Sequence, residues 1–410
     1  MELFNIIAIL LSLSAVFSYI NYRYLRLPTT IGVMLISIVM SLFLVTGDAL
    51  GGGIKEQAQN IVNSIDFDTT LLHGMLSFLL FAGALHVKLE NLAEQKWIIG
   101  ITATVGVILS TFFIGTVMYY VLHVMGIPLT YMYCLVFGAL ISPTDPIAVL
   151  AILKEANAPK TVETKITGES LFNDGVAVVV FLVVAGVASG EQQATFMGIV
   201  KLFTVEAVGG GILGFILGYG AYFMLKSIEN YQTEVLITLA LVSGGYSLAM
   251  ALHVSGPIAV VIAGLMIGNK GRKLAMSEET CEHLDTFWEL IDEILNAILF
   301  VLIGLQILAL NFSMSYVTAG CIAIPIVLLS RFITVAIPVM FLKRYRTFSP
   351  GVIRIMTWGG LRGGISVALA LSLSQQDSIT VMTYVVVLFS IVVQGLTVKK
   401  LIVAIQNKEA

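Results

Sequence analysis

Charged side chains are scarce in this chain of 410 residues: Asp, Glu, Lys and Arg make up 11% of it, against roughly 25% in an ordinary soluble domain. Hydrophobic residues make up 58%. A soluble fold of this length cannot hide that much apolar surface, so a water-soluble enzyme, a nucleic-acid-binding protein and a disordered chain are excluded. Cysteine is also rare. Cys134, Cys281 and Cys321 lie far apart, which excludes a disulfide framework and a metal-ligand spacing. No G-x-x-x-x-G-K-[ST] phosphate loop occurs, and no linker or soluble domain interrupts the apolar runs. The protein therefore draws no energy from a bound nucleotide. No cofactor and no enzymatic reaction are expected, and function must lie inside a lipid bilayer.

What the chain has instead is long apolar segments. A spanning helix needs about 20 mostly apolar residues. Segments of that kind fall at 3–22, 28–46, 69–87, 97–121, 131–153, 166–188, 197–225, 234–252, 256–268, 287–308, 317–342, 353–374 and 380–400. They predict an all-α polytopic membrane protein with about thirteen transmembrane helices. The first segment is too long for a signal-peptide core and no cleavage site follows it. The 22 basic residues fall almost entirely in the odd-numbered connections and at the C-terminus, whereas the even-numbered connections hold only Lys55. Excess Lys and Arg stay cytoplasmic, which predicts an N-terminus outside and a C-terminus inside. Dropping the short ninth segment would put Lys270, Arg272 and Lys273 outside, so it is retained. The connection 47–68 is rich in Gly and acids, and 269–286 is expected to form a surface helix.

An ionisable residue deep in a bilayer costs about 2.5–3.5 kcal/mol on insertion scales and points to function. Asp145 lies in Ser142-Pro143-Thr144-Asp145-Pro146. Each proline removes a backbone donor and clashes with the preceding turn, so the fifth helix is expected to break there. Irregular backbone at that depth survives only where it faces protein or a water-filled cavity. The sixth helix carries Gly168-Glu169-Ser170-Leu171-Phe172-Asn173-Asp174. Helical spacing stacks Ser170 on Asp174 and Glu169 on Asn173. Packing hydrogen bonds could account for Ser170 and Asn173, but Asp174 is too costly for ordinary packing. In Trp358-Gly359-Gly360-Leu361-Arg362-Gly363-Gly364, the glycines argue against a regular helix. Arg362 there would compensate either carboxylates or helix C-terminal dipoles. Asp145, Asp174 and Arg362 all lie about 12–14 Å from the cytoplasmic face at 1.5 Å per residue. The two broken helices run in opposite directions, so helices 4–6 and 11–13 are candidate inverted repeats meeting at the midplane.

Lys201 can reach the outer surface; Glu206 either pairs with it or faces a dimer partner, and Arg331 is open between a structural and a functional role in the same way. Glu289, Asp292 and Glu293 open the tenth helix and are candidates for a negative funnel. Two carboxylates, a hydroxyl and an amide make an oxygen-only site suited to a hard cation. Protons compete for the same carboxylates. A site that takes either a proton or a small cation, reached alternately from each side, is an exchanger.

The three motifs, Ser142–Pro146, Gly168–Gly175 and Trp358–Gly364, resemble those of the bacterial NhaP-type sodium/proton antiporters, relatives of the animal NHE exchangers. The resemblance runs from the first helix to the last. It implies a moving core of two broken, crossing helices (97–188 and 317–400) and a dimerisation part made of helices 1–3 and 7–10. It also implies a homodimer in the bacterial inner membrane. Asp174 would then hold the transported Na+, Li+ or K+, with oxygen ligands from Thr144 and Ser170 and with Asp145 close by through water. Asn173 before Asp174 is similar to the electroneutral branch, whose exchange is one cation for one proton. Glu169 would pair with Arg362. Some members carry a Glu in helix 3, whereas here the stretch reads Leu80-Phe81-Ala82-Gly83-Ala84. An intramembrane aspartyl protease lacks this motif context, and a cation channel needs no buried Arg362. A K+/H+ antiporter of the same fold is the nearest alternative.

Overall fold

The computed structural model describes residues 3–48, 74–156, 158–190, 196–310, 312–373 and 376–407. Among them the regular elements are helices: α1 (Leu3–Ile20), α2 (Thr29–Asp48), α3 (Leu76–Leu85), α4 (Leu89–Ala103), α5 (Val105–Val124), α6 (Tyr131–Ile141), α7 (Ile147–Glu155), α8 (Lys160–Ala188) and α9 (Phe196–Lys226). There follow α10 (Tyr231–Ala251), α11 (Gly256–Met266), α12 (Glu278–Leu305), α13 (Met314–Leu342), α14 (Val352–Trp358), α15 (Gly364–Leu371), α16 (Asp377–Phe389) and α17 (Gly395–Gln406). Nine helical stretches among the described residues are long and apolar enough to cross a membrane. Each of the thirteen segments read from hydropathy contains described helix, interrupted at 142–146 in the fifth and at 359–363 in the twelfth. The start of the third, and most of the connection 47–68 with Lys55, lie outside the described residues.

The surface helix expected over 269–286 does not form as a separate element. A π-helical turn, Ile267–Gly271, ends the ninth segment, and α12 starts at Glu278. Ser277 caps α12 by accepting the Thr280 N–H at 3.3 Å, a side-chain cap that satisfies one of the helix's orphan donors. The mixed charges there are the polar outer turns of a long helix. Arg272 pairs with Asp285 through both terminal guanidinium nitrogens.

In a bundle without water between helices, small residues let backbones approach and hydroxyls supply cross-helix hydrogen bonds. The contact between α2 and α12 shows both. Ser37 Oγ donates to the Val301 carbonyl at 2.9 Å and Ser41 Oγ to that of Gly304 at 2.9 Å. A Cβ at Gly304 would overlap the Ser37 side chain.

Two helices are interrupted where proline and glycine were expected to interrupt them. α6 ends at Ile141 and the helix resumes as α7 at Ile147, while α14 ends at Trp358 and the helix resumes as α15 at Gly364. The two breaks touch: Asp145 N–H donates to the Leu361 carbonyl at 2.8 Å, in an isolated antiparallel bridge. Glycine is required at two of these positions. A Cβ at Gly360 would lie 2.5 Å from Arg331 Nε, and one at Gly363 would collide with the Asp145 side chain.

Overpacking a close contact costs about 1–3 kcal/mol. Gly304→Val is therefore expected to lower the thermal unfolding midpoint of the purified protein. Gly220→Ala, whose added methyl meets nothing within 4 Å, should leave that midpoint nearly unchanged.

Candidate functional site

The sixth predicted segment, α8, lies against the first break. Thr144 is the hub. Its carbonyl accepts a short hydrogen bond from Ser170 Oγ, and its Oγ1 accepts from Asn173 Nδ2 at 2.9 Å. Its N–H donates to Asn173 Oδ1 at 3.4 Å. The expected oxygen ligands Thr144, Ser170 and Asn173 are thus brought together and buried. Both ends of the Asn173 amide are engaged by Thr144, so this side chain braces the break.

Asp174 is 6% exposed. Among the described residues its carboxylate makes no hydrogen bond and no ion pair, and it is within electrostatic reach of Asp145. Asp145 is half-buried and held by its backbone at the bridge to Leu361. Two carboxylates facing each other in a buried site repel unless a cation or a proton comes between them.

The ion pair expected between Glu169 and Arg362 is not formed. Glu169, 1% exposed, is held by Arg331 of α13, with Arg331 Nη2 at 2.8 Å from Oε2 and Nη1 on Oε1. Arg331 Nε donates to the Met356 carbonyl at 3.2 Å, which ties the same guanidinium to the end of α14. Arg362 instead donates through Nη1 to the carbonyls of Ser142 and Pro143, the latter at 2.8 Å. The physical reason lies in the first break. Its prolines take N–H donors out of the chain, and carbonyls at the end of α6 are left to find partners. A buried guanidinium carries several donors and can satisfy two of them. Of the two roles open to Arg362, compensating carboxylates or helix C-termini, it takes the second.

The second break is repaired by the last segment. Between α16 and α17 the chain makes a π-helical turn, Ser390–Gln394. Ser390 Oγ accepts the Arg362 N–H at 2.8 Å and Gln394 Nε2 donates to the Trp358 carbonyl at 2.9 Å. Trp358 Nε1 donates to Thr397 Oγ1 at 2.9 Å. Sequence reasoning missed Ser390, Gln394 and the role of Arg331. Polar residues in the middle of apolar runs were the available signal. Ala82, in the third segment, is buried.

The chain matches the family model described as sodium/hydrogen exchanger, transmembrane, over residues 11–404. It is 51% identical over 406 residues to the Na(+)/H(+) antiporter NhaP of Pseudomonas aeruginosa, covering 97% of this chain and 96% of that one. It is 36% identical over 388 residues to the Na(+)/H(+) antiporter NhaH of Halobacillus dabanensis, covering 93% and 92%. Its fold resembles the solved structure of the sodium proton antiporter MjNhaP1 from Methanocaldococcus jannaschii, with a TM-score of 0.78, 18% identity and 99% of each chain covered.

Removing one partner of a buried ion pair costs about 3–5 kcal/mol because the other charge is left uncompensated. Glu169→Gln and Arg331→Gln should each lower thermal stability by an amount in that range. In a double-mutant cycle the two losses should overlap strongly. The cycle between Glu169 and Arg362 should show the smaller coupling, and the reverse order would contradict the observed pairing.

Proposed function

This chain belongs to the sodium/hydrogen exchanger family, and from that membership we infer that it is a secondary active antiporter exchanging Na+ for H+ across a membrane. The relatives described above are named Na+/H+ antiporters, which favours sodium over the potassium alternative. The observation that carries the residue-level reading is Asp174: buried, without a partner among the described residues, and facing Asp145 where two interrupted helices meet. Such a carboxylate is balanced either by a proton or by a small cation, so the two ions use the same group in turn.

In this reading Asp174 carries the transported ion, Ser170 and Thr144 offer oxygens from the adjoining break, and Asp145 adds negative charge beside them. Asn173 braces Thr144. Glu169 with Arg331, and Arg362 with the carbonyls of the first break, hold the frame. Li+ is accepted as a second small hard cation. The chain crosses the bilayer thirteen times, N-terminus outside and C-terminus cytoplasmic, in a bacterial inner membrane. Helices 4–6 and 11–13 form inverted repeats whose broken helices cross at the midplane and move as a core. Helices 1–3 and 7–10 form the dimerisation part of a homodimer. The antiparallel contact between the breaks supports that arrangement.

Two outcomes are expected in reconstituted vesicles. Asp174→Asn should abolish Na+-driven proton movement while the protein still inserts and unfolds cooperatively. Substantial exchange by this variant would remove Asp174 from the centre of the mechanism. In the native protein, apparent Na+ affinity should weaken as pH falls, because a cation needs the deprotonated carboxylate.

Asn173 offers no charge beside Asp174, so the cycle is electroneutral, one Na+ for one H+. Clamping the vesicles at different potentials with a potassium ionophore should leave the final sodium gradient unchanged. A gradient that follows the potential would show that the cycle moves charge and would bring Asp145 in as a second carrier.

A further inference from the structure

One face of α12 descends from solvent into the bundle toward this site. Glu289 and Glu293 are exposed, Asp292 is half-buried and Asn296 is buried, 3% exposed. Helical spacing puts all four on one stripe about 100° wide. The neighbours of that stripe fix where it leads. One turn before Asp292, Trp288 packs against Phe81 of α3, the ring centroids 4.7 Å apart and the planes tilted by 51°. One turn after Asn296, Leu299 lies where a Cβ on Gly364 would sit, at the start of α15. Gly363, the preceding residue, abuts Asp145.

The polar atoms on this stripe are incompletely matched. The Asn296 amide hydrogen-bonds to Asp292, and Asp292 is within electrostatic reach of Asp145. Asn296 Oδ1 is buried and has no hydrogen-bond partner among the described residues. Nor does Asp292 form an ion pair with a lysine, arginine or histidine there. A buried acceptor left unsatisfied costs about 1–3 kcal/mol, and it stands beside a carboxylate without a counter-cation. An amide oxygen and carboxylates are the donor set a hard monovalent cation takes.

We propose that Asp292 and Asn296 Oδ1, together with Asp145, form a second Na+ site through which the ion passes between solvent and Asp174. The proposal rests on the reading of Asp174 as the transport carboxylate. Glu289 and Glu293 gather cations at the rim. Asp292 and Asn296 take the ion from water in exchange for protein oxygens. Asp145, reached from both Asp292 and Asp174, hands it on. Na+ thus loses its water in two stages.

Equilibrium binding of Na+ to purified protein separates this site from the central one. Asp174→Asn, which tests the central reading by its loss of exchange, should retain weaker Na+ binding. Adding Asp292→Asn should remove that residual binding. A Asp174→Asn protein that binds no Na+, or a double variant that binds as much as the single one, overturns the proposal without touching the central reading. In vesicles, Asp292→Asn and Asn296→Ala should each raise the apparent KM for Na+ about tenfold, the scale on which a charged cleft concentrates ions. The loss should fall on KM far more than on turnover. Asn296→Asp should lower KM instead, a readout available even if a neutralised Asp292 prevents folding. Variants at these two positions that change turnover and stability but not KM would mark them as packing residues and overturn the proposal.

Discussion

A helix broken inside a low-dielectric bundle exposes backbone groups that have no water to turn to, and each one left unpaired costs several kcal/mol. This fold breaks two helices side by side, so it must supply partners for both. Arg362 supplies donors to the carbonyls of Ser142 and Pro143. The N–H of Asp145 finds the Leu361 carbonyl. Ser390 and Gln394 close the other side through the Arg362 N–H and the Trp358 carbonyl. The breaks therefore repair each other, and the final helix departs into a π-helical turn to bring its two polar side chains to bear. Residues 142–146 and 359–363 could not hold this irregular course singly. Their positions follow from one shared problem in hydrogen bonding.

Charge is distributed by the same economy. Two buried arginines sit close to one buried glutamate, and only Arg331 pairs with it. That pairing neutralises Glu169 and leaves Arg362 to serve dipoles. The remaining carboxylates, Asp174 and Asp292, then have no protein cation among the described residues, and both are within reach of Asp145. Negative charge without an internal counter-ion is what lets a mobile cation or proton act as the compensating partner. Had Arg362 turned to Asp174 instead, the pair would have been satisfied and the carboxylate closed to cargo.

Much of this was legible in the residues. Pro143 and Pro146, two within four residues, strip donors from one turn and favour a break there, whereas Pro325 and Pro338 stand singly inside the continuous α13; spacing of four puts Ser170 and Asp174 on one face. These are local rules and the structure follows them. The glycines around Arg362 signalled irregular backbone, but the reasons for two of them are tertiary: Gly360 admits Arg331 and Gly363 admits Asp145. The partner of Glu169 was not legible for the same reason. Arg331 and Arg362 were both buried cations at plausible depth, and the choice depended on which stray carbonyls each could reach. Ser390, Gln394 and Asn296 are isolated polar residues in apolar runs. Only the packing of α12 and α16–α17 against the breaks gives them work. The outer turns of α12 were misread because mixed charge on an emergent helix and on a surface helix look alike in sequence.

The bracing at Thr144 also constrains how the site can move. Three hydrogen bonds tie α8 to the first break: Ser170 to the Thr144 carbonyl, Asn173 Nδ2 to Thr144 Oγ1, and the Thr144 N–H to Asn173 Oδ1. A displacement of α8 alone would break all three in a buried setting, where unmade hydrogen bonds are expensive. The Glu169–Arg331 pair adds α13 to the same unit, and the Arg331 bond to Met356 adds α14. Arg362 binds the α14–α15 break to that of α6–α7. The α16–α17 turn belongs to the same unit, because Ser390 accepts the Arg362 N–H and Gln394 donates to the Trp358 carbonyl. If Asp174 is the transport carboxylate proposed above, exposing it to each side in turn is therefore cheapest when α6, α7, α8 and α13–α17 travel together. Against α12 the contacts that then slide include an apolar one, Leu299 on Gly364, and one buried hydrogen bond, from the Tyr384 hydroxyl to the Ile303 carbonyl.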